Sequence, residues 1–310
     1  MDLFNRLSSN LILAPMAGVT DKPFRQMVQS FGSHLTFSEM LTATSFCYGS
    51  RQTKAMMDLA EEKGPVAVQF VGNNPAYMAK AAVQAEKNGA YSIDINMGCP
   101  VRKIIEKGGG SALMLDFVRA AEVVEAVKHA VSIPVTVKTR LNYENKVDIV
   151  SFCQYLEQAG ADAIILHGRT KEQGYSGKAD WAGLAKVKEN IHIPLIANGD
   201  IVDAASVKEC RKITGADGFM VGRAALGKPW ILAEIEKERP DFVLSEVVLE
   251  HFDRILSYYG HKGLFIARKH LAWYATGHSF VAQFRQKVYA ETNEQKVREL
   301  IRAFFKQETK

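Results

Sequence analysis

The sequence predicts a (β/α)8 TIM barrel followed by a C-terminal all-helical domain, and three observations carry that reading. Eight short β-rich runs recur along the first three quarters of the chain. Helical patterns fill the gaps between them. Polar residues recur where the runs end.

The runs begin near Leu11, Thr36, Val66, Ser92, Val135, Ala163, Pro194 and Gly218. Their spacing of roughly 25 to 40 residues is that of a βα repeat. Runs such as Ala163-Ile164-Ile165-Leu166 are apolar without alternation, as in strands covered on both faces. Between runs, the stretch 75–88 carries Met78, Ala82, Val83 and Ala85 at helical spacing and stops at Gly89. The stretch 117–129 carries Val118, Ala121, Val124 and Val127 in the same way. A doubly wound open sheet has similar periodicity, but the count of eight and the polar strand ends favour closure. After Trp230 the strand signals cease. A linker near Arg239-Pro240 divides the chain into a barrel, residues 1–238, and a helical domain, residues 239–310.

With 310 residues, 47% hydrophobic and 24% charged, the chain has the composition of a soluble globular protein and room for both parts. No run approaches the roughly 18 apolar residues of a membrane span, and no export signal is visible, so a cytoplasmic protein without membrane contact is expected. Cys47, Cys99, Cys153 and Cys210 lie too far apart for a zinc or redox motif, which predicts reduced thiols and no metal. A monomer is expected. The net charge of +5 suggests an anionic partner. From Arg254 to Ala290 there are basic residues, interleaved aromatics and no acid. That pattern beside a catalytic barrel points to a phosphate-rich macromolecule.

In a barrel, chemistry collects where the strands end. In order, those ends are Pro15-Met16-Ala17-Gly18, Glu39-Met40, Gln69, Asn96 with Cys99, Lys138 with Arg140, His167 with Arg169, Asn198-Gly199-Asp200, and Gly222-Arg223. Each has a dull explanation alone; together they form a polar ring that a packed structural barrel does not need. In IDINMGCP, residues 93–100, an apolar run ends in Asn96 and a lone cysteine precedes a proline. The residue before proline is held extended, so Cys99 is aimed. IANGDI and VGRAALGKPW bring backbone close to a ligand and open a short helix, as in the phosphate site expected after the last two strands. Arg223 adds a charged clamp. No G-x-G-x-x-G follows the first strand, which argues against a dinucleotide site. Flavin mononucleotide (FMN) fits better, with Pro15-Met16-Ala17 against its ring and Gln69 and Lys138 at its carbonyl and N1 edge. A lysine there stabilises the reduced-flavin anion by at most about 4 kcal/mol across about 4 Å.

The segments APMAGVTD (14–21), QFVGN, DINMGCP, GSALM, VKTR, HGRT, ANGD and GRAALGKPW resemble those of the tRNA-dihydrouridine synthases, and RKHLAWY (268–274) resembles the bacterial B-type branch. The likeness spans the barrel and reaches the helical domain. It implies FMN-dependent reduction of selected tRNA uridines to 5,6-dihydrouridine, with NADPH as electron donor. It implies further that Cys99 protonates C5 while hydride from flavin reaches C6. An unperturbed thiol, pKa about 8.5, holds its proton at neutral pH. By the same resemblance Asn96 hydrogen-bonds the uracil edge and Arg140 reaches base or flavin. FMN is then held by Pro15, Met16, Ala17, Gln69, Lys138, His167, Asn198, Gly199, Asp200, Gly222 and Arg223. No role is assigned to Gly108-Gly109-Gly110. A stacked uridine must be extruded to reach the barrel mouth. Phosphate contacts from the helical domain, Arg268 and Lys269 among them, offset that cost.

Two alternatives stay open at this point. One is an FMN barrel reducing a small pyrimidine, similar to dihydroorotate dehydrogenase, which leaves the acid-free tail unexplained. The other is a nucleic-acid-binding protein on a degenerate barrel, which leaves Gln69, Lys138, Asn198, Gly222 and Arg223 unexplained.

Overall fold

The structure, a computed structural model, describes Leu3 and residues 7–236 and 241–306. One parallel sheet frames it: β1 (Leu11–Leu13), β2 (Thr36–Phe37), β3 (Leu41–Thr42), β4 (Val66–Val71), β5 (Ser92–Asn96), β6 (Val135–Arg140), β7 (Ala163–His167), β8 (Leu195–Asn198) and β9 (Gly218–Val221). The strands run in the order β1-β9-β8-β7-β6-β5-β4-β2. A parallel bridge from Ile12 to Leu35, with the Leu13 N–H donating to the Leu35 carbonyl at 3.0 Å, joins the two ends. That closure decides for the barrel over the doubly wound sheet.

Eight predicted runs become nine strands among the described residues because the second run is broken. The Ser38 hydroxyl, in place of a carbonyl, accepts the Gln69 N–H at 3.0 Å. The chain then leaves the ladder through Glu39 and Met40 before β3 rejoins β4. This detour brings the Glu39 carboxylate to the Gly18 N–H at 2.5 Å and Met40 to the barrel mouth. The seventh run starts at Leu195 rather than Pro194, since proline has no N–H to give the ladder.

Within the strands a period of two sorts the side chains. Val68, Phe70, Ile93, Ile95, Val135 and Val137 pack outward beneath the helices. Ile12, Phe37, Ala67, Ile165, Ile196 and Met220 fill the barrel, joined by Leu3 and Leu7. Above that apolar layer, Gln69, Asp94, Asn96, Thr136, Lys138, His167 and Asn198 continue the same inward rows as polar residues.

The helices follow local rules. Pro75–Lys87 has proline in its first turn and Asn74 as its cap, accepting the Tyr77 N–H at 3.0 Å. Phe117–Ala130 buries Ala120, Val123, Val124 and Val127, while Val118 is 65% exposed. The i, i+3, i+4, i+7 stripe begins at Ala120, which turns Val118 to the opposite face and corrects the predicted set.

Beyond the barrel, the helices Leu244–Tyr259, Gly263–Tyr274, Val281–Ala290 and Glu294–Phe304 surround a core that includes Val248, Phe252, Leu271, Phe284 and Ile301. The predicted linker Arg239-Pro240 lies outside the described residues. No described helix is long and apolar enough to cross a membrane. The helical unit is fastened to the barrel. Tyr259 donates to the Asp21 carboxylate at 2.9 Å, and Arg254 donates to the Gln26 amide oxygen at 3.0 Å. At Gly227 the two parts touch backbone to backbone: a Cβ there would lie 2.5 Å from the Trp273 carbonyl.

That contact yields a prediction. Gly227 and Gly215 both have positive φ, +71° and +63°, but a Cβ at Gly215 would meet nothing closer than 3.9 Å. Gly215→Ala should cost about 1 kcal/mol of backbone strain. Gly227→Ala should cost at least about twice that, because backbone must move as well. Urea unfolding of the two variants measures the difference, and equal midpoints would reject it.

Candidate active site

The strands' C-terminal ends open into a cavity of about 580 Å³, within the range of small-ligand sites. Its walls include Pro15, Met16, Ala17, Gln69, Asn96, Cys99, Lys138, Arg140, His167, Asn198, Gly199, Asp200, Gly222 and Arg223. Residues from seven barrel strand ends thus meet in one space. Arg268 and Lys269 are not in its walls.

The floor is two hydrogen-bonded groups. In the first, Asp94 accepts from Gln69 Nε2 at 2.7 Å and Thr136 Oγ1 at 2.5 Å. Gln69 Oε1 accepts from Asn96 Nδ2 at 3.0 Å, and Asn96 Oδ1 takes the N–H groups of Gly98 and Cys99 at 3.2 and 2.8 Å. In the second, Lys138 Nζ donates to Asn198 Oδ1 at 2.9 Å, and Asn198 Nδ2 donates to the Met220 carbonyl at 2.9 Å. Burial raises the Asp94 carboxyl above its ordinary range, against the hydrogen bonds of Thr136 and Gln69. Burial, then the Arg140 guanidinium, holds Lys138 below the usual lysine range, while Asp94 pulls it back. The sequence reading gave Asp94 no role. Its signal was there: it lies two residues before Asn96, on the same inward row.

Cys99 is held from both sides. Its carbonyl accepts the Ser111 N–H at 3.1 Å and the Ser111 hydroxyl at 3.0 Å. Gly110, at φ +60°, passes so close that a Cβ would lie 2.8 Å from the same carbonyl. The glycine-rich loop left unassigned by the sequence is therefore the backing of the cysteine turn. Arg140 fastens the other side, donating from Nε to the Gly98 carbonyl at 2.9 Å and from Nη1 to the carbonyls of Thr170 and Gly174 at 3.0 Å. Its Nη2 has no partner among the described residues. Burial raises the Cys99 thiol, opposed in part by the Val101 N–H and the Arg140 charge.

The opposite end suits an anion. Among the described residues, the N–H groups of Gly199, Asp200, Gly222 and Arg223 find no acceptor within the protein. The expected short helix is a single 3₁₀ turn, Arg223–Ala225. Anion binding there rests on free N–H groups and Arg223 rather than on a helix dipole. The Asp200 carboxylate is turned away to Arg169 Nη2 at 2.7 and 2.9 Å and the Ala179 N–H at 2.7 Å. Arg169, itself buried, ties down the loop that carries Tyr175 by donating to the carbonyls of Ser176 and Gly177 at 3.1 and 2.6 Å. Tyr175, which the sequence reading did not mark, projects at the mouth with the Arg223 guanidinium 4.9 Å from its ring centre. His167 is neutral: burial, then the charges of Lys138, Arg140, Arg169 and Arg223, push it down to about 2. An apolar wall, a donor-lined floor and a cationic end with free N–H groups fit an FMN ring and phosphate.

Outside the cavity, Arg268 donates to the Glu291 carbonyl at 3.0 Å and lies 4.6 Å from the Phe265 ring centre. Lys269 reaches back to the rim, its Nζ 3.4 Å from the place of a Gly18 Cβ.

The raised thiol gives a direct test. Carbamidomethylation of Cys99 by iodoacetamide, followed on its tryptic peptide, should accelerate steadily as pH rises to 9 and beyond, since only the thiolate reacts. A plateau near neutral pH would show a depressed pKa and reject the assignment.

A family model for dihydrouridine synthase (Dus) matches residues 12–309. The chain is 42% identical over 311 residues to a probable tRNA-dihydrouridine synthase of Rickettsia conorii, covering 96% of this chain and 94% of that one. Against tRNA-dihydrouridine synthase B of Vibrio parahaemolyticus the identity is 40% over 292 residues, 91% of each chain. Among solved structures, histamine dehydrogenase from Rhizobium sp. 4-9 is similar with a TM-score of 0.57 and 13% identity, over 81% of this chain and 48% of that one. That last likeness concerns the fold alone. The sequence match runs through every strand end that lines the cavity and on through the helices beyond it, and on that ground the chain belongs to the dihydrouridine synthase family.

Proposed function

We propose that the protein is an FMN-dependent tRNA-dihydrouridine synthase of the B-type branch, reducing the C5=C6 bond of selected uridines with NADPH as electron source. One observation carries the reading: a thiol kept protonated by burial stands at the wall of a cavity whose floor offers hydrogen-bond donors. The names borne by the Rickettsia and Vibrio relatives support the substrate, and the latter supports the branch. When bound, flavin would supply the hydride chemistry, with NADPH as the source of its electrons. Cys99 gives its Sγ proton to C5 of the base, and the adjacent Arg140 charge eases the thiolate that remains until solvent restores the proton. Asn96 has an N–H free for a uracil carbonyl. Lys138 would bring positive charge to one edge of a bound flavin, and Arg223 with the free N–H groups would hold its phosphate. We assign catalysis to residues 1–238 and tRNA binding to residues 239–310. The four cysteines are all unpaired, which supports a reducing, cytoplasmic setting.

Purified protein should be yellow and should form dihydrouridine on unmodified tRNA with NADPH. Cys99→Ala should keep its flavin and lose product formation by about 10² to 10⁴-fold, the usual contribution of a general acid. Colourless protein, or full activity without the thiol, would sink the proposal. Yellow protein active on free pyrimidines and inert on tRNA would favour the small-molecule alternative.

The helical unit offers a second test. Arg254, Arg268 and Arg285 are occupied by oxygens of Glu250, Glu291 and Ala272, whereas Lys269 makes no hydrogen bond among the described residues. Lys269→Glu should weaken tRNA binding and lower the salt slope by about one, with flavin content and melting temperature unchanged. Arg268→Glu should lower the melting temperature as well, because the Glu291 carbonyl loses its donor. Filter binding at two salt concentrations decides, and unaltered tRNA affinity in Lys269→Glu would count against this surface.

A further inference from the structure

We propose that Asp94 is a positioning residue of this site: its carboxylate sets the direction of an amide relay, Gln69 to Asn96 to the Cys99 backbone, so that the floor presents donors to the base. The activity assay below rests on the synthase reading; the relay geometry does not.

The direction follows from what each group can do. An ionised carboxylate only accepts. Asp94 therefore commits the Gln69 amide nitrogen to itself at 2.7 Å and turns Gln69 Oε1 toward Asn96. The Asn96 nitrogen answers at 3.0 Å, which leaves Asn96 Oδ1 for the N–H groups of Gly98 and Cys99. Inverting one amide would set oxygen against carboxylate or N–H against N–H, so all three links share one direction. Each amide nitrogen keeps a second N–H with no acceptor among the described residues, and both residues line the cavity, that of Gln69 left for the cofactor edge and that of Asn96 for the base. A base that offers a carbonyl oxygen to the Asn96 donor is satisfied. A base that offers an exocyclic amino group leaves donor facing donor. Uracil carries a carbonyl at position 4 where cytosine carries an amino group, so the relay selects uracil.

Asp94 is fully buried and, among the described residues, no cation contacts it within ion-pair distance. A buried carboxylate is costly to hold, and packing alone would be served by an apolar residue. Among the described residues, its hydrogen-bond partners are Thr136 and the first amide of the relay.

The test is a mutant cycle on the holoenzyme, read by single-turnover uridine reduction. Asp94→Ala and Asn96→Ala should each slow the step by roughly tenfold to a hundredfold, the scale of a misplaced reacting group. The double variant should be no more than about threefold slower than Asn96→Ala, because Asp94 acts through Asn96. Losses that multiply would overturn the relay. Asp94→Asn should recover most of the rate, since its oxygen still takes the Gln69 N–H while the Thr136 hydroxyl turns to accept from the new amide. An asparagine variant as slow as alanine would also overturn it. If Asp94→Ala does not fold, Gln69→Leu breaks the same relay one link further and carries the same expectations. A second readout needs no tRNA: alkylation of Cys99, with and without flavin, should change at least about threefold in Asp94→Ala and stay near wild type in Asp94→Asn. Unchanged alkylation in both would reject the relay. That pattern appearing in a protein that makes no dihydrouridine would leave the relay standing and remove the synthase reading.

Discussion

A closed parallel barrel sends every second strand residue into a space where water is scarce, and polar residues there must satisfy one another. This protein fills the lower barrel with Ile12, Phe37, Ile165, Ile196 and Met220 and then switches the same rows to polar side chains. Everything at the site depends on that switch. Gln69, Asp94, Asn96 and Thr136 solve the problem on one side of the floor, and Lys138 with Asn198 on the other. The hydrogen-bond potential left over after mutual satisfaction is what faces the cavity. The site is thus the residue of a packing constraint, with its donors already oriented before any ligand arrives.

The electrostatics follow from the same enclosure. Lys138, Arg140, Arg169 and Arg223 crowd one cavity, and of these Arg169 and Arg223 form ion pairs among the described residues, both with Asp200. Burial and then the excess positive charge keep His167 neutral, and that charge suits an anionic ligand. Cys99 sits at the less charged margin, where burial outweighs the pull of Arg140 and the proton stays on sulfur. One enclosure therefore stabilises an anion at one end and withholds ionisation at the other.

The helical unit is joined to the barrel by contacts that leave little play. Asp21 caps the first barrel helix and accepts from Tyr259, while Gly227 lies against the Trp273 backbone. Lys269 is carried by the helix that includes Trp273 and reaches the Gly18 turn, one residue from Ala17 in the cavity wall. On the proposed function, a substrate bound by this unit would lie at a fixed distance from the thiol, which is the requirement for presenting an extruded base.

Periodicity and strand-end chemistry made much of this legible in the sequence. The barrel strands, both long helices and every residue of the cavity wall assigned from motifs could be written down from Leu11 to Arg223. Local patterns suffice there because a strand's face and a helix's stripe are set by spacing alone. What spacing cannot give is the partner. The break at Ser38 depends on a hydroxyl replacing a carbonyl across to β4; the stripe beginning at Ala120 depends on which side meets a neighbouring helix. The acid-free tail pointed to available cations, but Arg254, Arg268 and Arg285 are taken by Glu250 and by carbonyls of Glu291 and Ala272, acceptors that charge counting does not see. Asp94 was visible as a letter in DINMGCP and silent as a function. The sequence by itself determined that an inward row carries Asp94 and Asn96. Only the tertiary structure decided that Gln69, from another strand, stands between them, because hydrogen-bond direction belongs to pairs of side chains and not to any one position.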